Sequence, residues 1–236
     1  MKIELIVKAI DAVPAVIPYL SDQARYIYAI GKPTEYKTYD YMLAQIEGLV
    51  RGLYSNNVGG NFIDIMANLI SGQLTQAYRQ AFEDEGYTDY FLPDYLQTSL
   101  TEMVVNQYTF VDQYYRDIID ARIDGTPINP LLSRAQLWAQ RWTEAYNEAV
   151  RLITEHDGGN LIWRLGATEE HCPECAKLNG IVARATEWNI SGFKPQNAPN
   201  DALTCGGWRC DCTLTPTDKR RSPKALDTLM NIRLSK

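Results

Sequence analysis

The chain has 236 residues, of which 45% are hydrophobic and 22% charged, and its formal net charge at pH 7 is −6. This size and composition can build one substantial core and a small satellite module. Charges interrupt the first apolar stretch, and Pro14 and Pro18 break the next, so neither a signal peptide nor a membrane span is predicted. We therefore expect no membrane partner and a reducing compartment, in which thiols stay reduced.

Charge is unevenly distributed along the chain. Residues 1–160 contain 12 Lys or Arg and 21 Asp or Glu, a net charge of −9, whereas residues 161–236 contain 11 and 8, a net charge of +3. Residues 217–236 carry most of the surplus, and they predict a basic tail that begins with Lys219, Arg220, Arg221 and Lys224. Such a tail can contact nucleic-acid phosphates or an acidic protein, although a short solvated terminus is the commoner explanation.

Residues 1–36 predict an N-terminal arm. Ile3, Leu5 and Val7 alternate with charged residues, and prolines punctuate the sequence that follows. The alternating segment has no evident strand partner nearby in the sequence. It is therefore a candidate for pairing with another chain.

Residues 37–157 predict a helical bundle. Apolar residues recur at helical spacing in three segments, at about 39–53, 66–86 and 93–118, and the third is expected to stop at Gly125. A fourth helix is predicted to begin with a capping box of Ser133 and Gln136 and to run to about Ile153. The glycines that follow residue 157 are expected to end it.

Residues 158–216 predict a small α+β module. Three short strands are expected at 161–165, 180–184 and 211–215, the last of them stopped by Pro216, and residues 189–204 read as a loop. A module of this size commonly needs a metal or a disulfide to stabilise it. The predicted fold is therefore mainly α, with an N-terminal arm, a helical bundle and a cysteine-stapled C-terminal module.

All five cysteines lie in this module, in two clusters. Cys172 and Cys175 form a C-x-x-C motif with an internal proline, and Cys205, Cys210 and Cys212 form C-x4-C-x-C. Two such knuckles can direct their thiolates at one tetrahedral Zn²⁺. We predict a structural zinc bound by four of the five: Cys172, Cys175 and Cys205, with Cys210 or Cys212 as the fourth ligand.

Other roles for the cysteines are less well supported. Disulfides require an oxidising compartment, and a thioredoxin-type redox pair would leave three cysteines without a role. A zinc deaminase needs an H-x-E motif, which the sequence lacks. Buried thiols without a metal are the next alternative to zinc.

Catalytic groups are scarce in the sequence. It contains only two histidines, His156 and His171, and no P-loop, G-x-G-x-x-G, G-x-S-x-G or H-E-x-x-H motif. His171 adjoins Cys172 and neighbouring residues rarely reach the same metal, so it is interpreted as a surface histidine; His156 is interpreted as a cation at a helix C-terminus. A zinc bound by four cysteines has no open position for water. We therefore predict that the protein is not an enzyme.

Three runs in the module follow one another in a recognisable order: WRLGATEEHCPEC at 163–175, LNG at 178–180 and, after Cys205, RCDCTLTP at 209–216. This order resembles the C-terminal domain of tailed-bacteriophage minor head proteins, also called head morphogenesis proteins of the Mu F-like type. That family's pattern closes with H-x-x-C-R-C before a proline. Here Cys205 replaces the histidine, with a longer gap to Cys210. The similarity covers residues 160–216, with a weaker likeness at 130–142.

The resemblance implies a structural virion protein that contacts the phage portal or capsid protein inside the head and assists head assembly or DNA delivery. It implies a location in the virion, after assembly in the host bacterial cytoplasm. The alternative is a zinc-ribbon-like nucleic-acid-binding module that uses the basic tail and stacks bases on Trp188 and Trp208. The net charge of −9 over residues 1–160 favours a protein interface over a DNA-wrapping surface.

Overall fold

A computed structural model describes residues 39–57, 61–89, 91–167, 170–207 and 210–236. The predicted arm, residues 1–36, lies outside the described residues. The described chain is mainly helical, with a small three-stranded sheet and a cysteine cluster near its C-terminus, which confirms the predicted fold class. No helix in the described ranges is both long and apolar enough to cross a membrane.

Three helices confirm the segments that were predicted from apolar spacing: α1 Tyr39–Tyr54, α2 Phe62–Asp84 and α3 Asp94–Ile123. The α1 helix buries Met42, Ile46, Val50 and Leu53, one face of a 3.6-residue repeat. The α3 helix ends shortly before Gly125, whose φ of +68° is the left-handed conformation in which helices commonly terminate.

The predicted fourth helix is two helices, α4 Asn129–Ala139 and α5 Arg141–His156, separated at Gln140. The predicted capping box is wrong. The α4 helix begins at Asn129 because Pro130 fits a first helical turn, where a backbone N–H has no partner in any case. Ser133 therefore lies inside α4, and its Oγ donates to the Asn129 carbonyl at 3.2 Å.

The sheet contains β1 Asn160–Arg164, β2 Val182–Arg184 and β3 Thr213–Thr217, in the antiparallel order β2-β1-β3. The prediction that Pro216 stops the third strand is wrong, since Pro216 pairs with Leu161 within β3. Proline is tolerated there because β3 is an edge strand and its missing N–H need not meet a neighbour.

Three short helices accompany the sheet: α6 Pro173–Leu178, α7 Ala185–Ser191 and α8 Ala225–Leu234. The predicted loop 189–204 is shorter than expected, because α7 continues to Ser191 and ends at Gly192 with φ of +76°. Together with the sheet and its loops, these helices form the cysteine module, residues 158–236.

The prediction of a solvated tail at 217–236 is wrong. Ala225, Leu229 and Ile232 of α8 are buried in the core of the cysteine module. Arg233 donates to the Ser191 carbonyl at 2.7 Å, which attaches α8 to the end of α7. The apolar spacing within this basic segment therefore outweighs its charge, because burying three apolar side chains stabilises the helix against the module.

The core of the cysteine module is built around two tryptophans. Trp163 and Trp188 are fully buried, their ring centroids 5.7 Å apart. The indole N–H of Trp188 donates to the Leu161 carbonyl at 3.1 Å, which ties α7 to β1. Cys175 and Cys212 belong to the same buried cluster.

Among the described residues, those up to Gln76 together with Leu100–Trp142 form one compact unit, and Ala77–Ser99 with Thr143–Lys236 form a second. The division places α5 with the cysteine module, so it differs from the predicted boundary at residue 157. Polar contacts of α5 account for this. Three of its side chains bond the loop at 194–197: Glu148 to Lys194 at 3.2 Å, Asn147 to Gln196 at 3.0 Å and Glu144 to Asn197 at 3.1 Å.

Candidate metal centre

The first knuckle connects β1 to α6. Cys172 is the N-cap of α6 with an extended backbone, and Pro173 occupies the first turn. Cys175 lies one turn further on and is 1% exposed. This turn places the two sulfurs 3.1 Å apart.

The second knuckle, residues 205–212, leads into β3. Gly206 and Gly207 have φ of +63° and +77°, a conformation that residues with a Cβ rarely adopt. A Cβ at Gly207 would also lie only 2.5 Å from the Asn197 carbonyl oxygen. Glycine is therefore required at this turn, which directs Cys205 and Cys210 toward the first knuckle. Trp208 and Arg209 lie outside the described residues.

The structure brings all five predicted cysteines together. Their sulfurs form two overlapping groups, one of Cys172, Cys175 and Cys205 and the other of Cys175, Cys210 and Cys212. Within each group all sulfurs lie within 4.8 Å of one another. Zinc–sulfur bonds of 2.3 Å in a tetrahedron separate the sulfurs by about 3.8 Å. Each group is therefore close to the geometry that a metal ion requires, and the cluster could hold one.

Cys175 is the cysteine that the two groups share. His171 belongs to neither group, and its Nδ1 lies 3.9 Å from the Cys212 sulfur.

Hydrogen bonds between the thiols set their charge. The bond to Cys210, together with burial, raises the pKa of Cys175. The same bond lowers the pKa of Cys210 to about 5, with additional donors at the Gln196 and Cys212 backbone. Burial, above all, raises the pKa of Cys205 to about 11. Burial and the hydrogen bonds between sulfurs keep these thiols close together, and a bound metal ion would replace the protons that they share.

Glu174 connects the two knuckles, and sequence reasoning missed it. Its carboxylate is buried between the cysteines of the first knuckle and accepts hydrogen bonds from the backbone N–H and the hydroxyl of Thr204, both at 2.9 Å. Burial acts to raise the pKa of Glu174, but the bonds from Thr204 outweigh it and lower the pKa. Because Thr204 precedes Cys205, these bonds align the knuckles without a metal. The available signal was an acidic residue inside the C-x-x-C motif.

The loop after β1 packs tightly on the second knuckle at Gly166. A Cβ at this position would overlap the Cβ and the backbone of Asp211. Burial raises the pKa of Cys212, and a hydrogen bond between the Gly166 backbone and its sulfur opposes part of that rise. Glycine is therefore needed where β1 leads toward the cysteines, a requirement that sequence spacing did not reveal.

Two residues expected to contact nucleic acid have other roles in the fold. Trp188 is fully buried, so it offers no face for base stacking. Arg221 forms an ion pair with Glu187 and lowers the pKa of that carboxyl. Lys219, Arg220 and Lys224 are exposed, and Trp208 lies outside the described residues. His156 is exposed at the end of α5 and stacks on Tyr95 with ring centroids 4.6 Å apart.

Comparison of the chain with protein families, with curated proteins and with solved structures finds no match.

Proposed function

We propose that the protein is a structural component of a bacteriophage head that binds a portal or capsid protein, and that one structural Zn²⁺ holds its cysteine module together. The observation that carries the proposal is the convergence of two cysteine knuckles on Cys175. The knuckles lie within the run of motifs that resembles the phage minor head proteins.

The chemistry of the donors favours zinc in a structural role. Sites made of thiolates alone suit zinc or iron–sulfur clusters, and a mononuclear tetrahedral site is typical of zinc. Cys175 and Cys212 are almost fully buried, at 1% and 2% exposure, so water has little access to this side of the cluster. Four thiolates leave no position at which the metal could activate water or a substrate.

We assign Cys210 as the fourth ligand and Cys212 as the remaining thiol. Cys210 hydrogen-bonds Cys175, and its charge also acts on Cys205, so it links the two sulfur groups. Cys212 belongs to the same second group as Cys210, but its sulfur is also bonded by the Gly166 backbone. A ligand set of Cys172, Cys175, Cys205 and Cys210 therefore takes two thiolates from each knuckle.

Metal analysis of the reduced full-length chain tests the zinc. We expect about one equivalent per chain, because one tetrahedral site uses four of the five thiolates. Substitution with Co²⁺ should give the sulfur-to-metal charge-transfer absorption of a thiolate site. A metal-free chain whose residues 158–236 resist protease would overturn the structural zinc.

Co-purification of the chain with the portal protein of the same phage tests the partner. We expect the full-length chain to associate with the portal or to be present in purified heads. Loss of association on deleting residues 2–20 would assign the contact to the predicted arm, and equal binding of both forms would assign it elsewhere. A chain that binds zinc but associates with neither portal nor capsid would refute the head-protein role and leave the metal site standing.

A further inference from the structure

A surface cavity of about 500 Å³ lies in the second unit, away from the cysteines. Its lining comes from the end of α2, the connection from α2 to α3, the start of α3 and the end of α5. Most of the lining residues are aromatic: Phe82, Tyr87, Phe91, Tyr95 and His156. Tyr90 lies outside the described residues.

The aromatic rings are held in place by one another and by a carboxylate. Phe82 stacks on Tyr87 with centroids 4.6 Å apart and planes at 9°, and Tyr95 stacks on His156 at 4.6 Å and 14°. The Tyr87 hydroxyl donates to both carboxylate oxygens of Asp157 at 2.9 Å. Phe82 is almost fully buried, so Tyr87 and Tyr95 are the phenol rings that retain exposed surface at the cavity, and aromatic faces attract cations.

The surroundings of the cavity are negatively charged. Asp89 lines it, Asp157 is bonded to Tyr87, and Asp84 and Glu85 lie at the end of α2. Burial, then Asp157 and Asp84, raise the pKa of Glu85. Within the described ranges, none of these four carboxylates forms an ion pair with Lys or Arg.

Among the described residues, an arginine lies close to the cavity. The Arg79 guanidinium donates to the Asp89 backbone carbonyl at 2.7 Å. One positive charge offsets only part of the four carboxylates, so the potential at the cavity remains negative.

We propose that this cavity binds an arginine side chain presented by a partner protein. A guanidinium is flat, stacks on aromatic faces and pairs with carboxylates, so it matches both the rings and the charge. Phe91, 74% exposed beside the cavity, offers apolar contact to the residues that flank the arginine. The volume falls in the range typical of pockets that enclose such groups. The inference does not depend on the metal or on the phage assignment.

The test uses the zinc-loaded full chain and two matched peptides, acetyl-Leu-Arg-Leu-amide and its neutral citrulline analogue, followed by amide NMR. We expect the arginine peptide to shift the signals of residues 82–95 and 155–158 saturably. The citrulline peptide should bind about two- to fivefold more weakly, which is the value of one exposed cation–π contact.

Two exposed residues allow the site to be altered with little risk to the fold. Asp89→Asn and Phe91→Ala should each weaken the arginine peptide about two- to fivefold. Asp120→Asn and Phe110→Ala change an exposed aspartate and a half-exposed phenylalanine of α3 outside the cavity, so they should leave binding unchanged. Equal binding of the two peptides, shifts that map elsewhere, or no shifts at millimolar peptide would each overturn the proposal.

Discussion

The helices of the first unit and the cysteine module are held together by different means. In the first unit, the 16-residue α1 buries four apolar residues along one face, and Tyr114 packs between Phe62 and Trp138 with centroid distances of 6.3 and 4.7 Å. In the cysteine module the elements have only 3 to 10 residues, and its buried cluster includes two cysteines. Long amphipathic helices supply enough burial for stability, whereas short elements need cross-links.

Polar groups show the same contrast. In the first unit, Tyr114 donates to the Leu131 carbonyl at 2.6 Å, a single hydrogen bond within the buried core. In the cysteine module, Asn200 alone donates to the Gly192 and Lys194 carbonyls at 3.3 and 2.9 Å and accepts from the Ala202 N–H at 2.9 Å. Side chains thus replace regular structure in satisfying the loop backbone. The cysteine module therefore depends on a few specific contacts, and each of them can be removed by a single substitution.

The largest expected effect is that of Cys175→Ser. Because Cys175 belongs to both sulfur groups, its loss should release the zinc and unfold residues 158–236, while the first unit remains helical. Binding of a structural zinc contributes about 10 kcal/mol or more to folding, so loss of the zinc should unfold the module completely. Zinc content, limited proteolysis and circular dichroism together measure it.

Cys212→Ser is the matched control, and it should retain about one zinc because Cys212 is assigned outside the ligand set. Retention of zinc by Cys175→Ser would contradict the shared-ligand arrangement.

Ile46→Ala should produce the opposite result. Ile46 is fully buried in α1, and its truncation should lower the free energy of unfolding by about 2–5 kcal/mol without changing the zinc content. Urea denaturation with parallel metal analysis provides the measurement. Ile123→Ala, at a residue 71% exposed on α3, should change stability by less than about 0.5 kcal/mol. Zinc loss in the Ile46 variant would show that the stability of the cysteine module depends on the first unit.

Glu174→Gln tests whether a contact other than the metal aligns the knuckles. An amide keeps one acceptor for the two donors of Thr204, so stability should fall by about 1–3 kcal/mol and zinc should be lost at lower chelator concentration. Thr204→Val removes the hydroxyl donor but keeps the bond from the backbone N–H, so it should cost less than Glu174→Gln. The double variant should cost less than the sum of the two, because both changes weaken the same hydroxyl–carboxylate contact. Strict additivity would show that the Thr204 hydroxyl and the Glu174 carboxylate are not coupled.

The smallest expected effect concerns Asp117, whose carboxylate pairs with Arg134 in the first unit. The hydrogen bond from Arg134 lowers the pKa of Asp117, so the stabilisation is present above its unfolded pKa and is lost as pH falls through the lowered value. The side chain is partly exposed, so the contribution should be below about 1 kcal/mol. Asp117→Asn should remove this acid dependence between about pH 5 and 2. The difference in free energy of unfolding between the wild-type chain and the variant, measured by urea denaturation, should therefore shrink as the pH falls. Asp120→Asn is the control. A stability difference between the wild-type chain and Asp117→Asn that does not shrink at low pH would argue against the Asp117–Arg134 ion pair.

Local sequence determined the elements that are long enough for their apolar spacing to identify them. The apolar spacing of α1, α2 and α3 fixed these helices, since one face of a long helix must be buried whatever surrounds it. The clustering of cysteines predicted where a metal could bind, because knuckle spacing is itself a local geometry.

Tertiary structure decided the features that depend on a partner distant in sequence. Pro216 lies in a strand because β3 is at a sheet edge, and the basic C-terminal segment is a helix because the module core accepts Ala225, Leu229 and Ile232. Glu174 links the two knuckles only because folding places Thr204, 30 residues further along the chain, beside it. The aromatic cavity assembles residues from α2, α3 and α5 that no local pattern connects. Spacing along a chain encodes one face of one element, whereas a contact between elements exists only after both have packed.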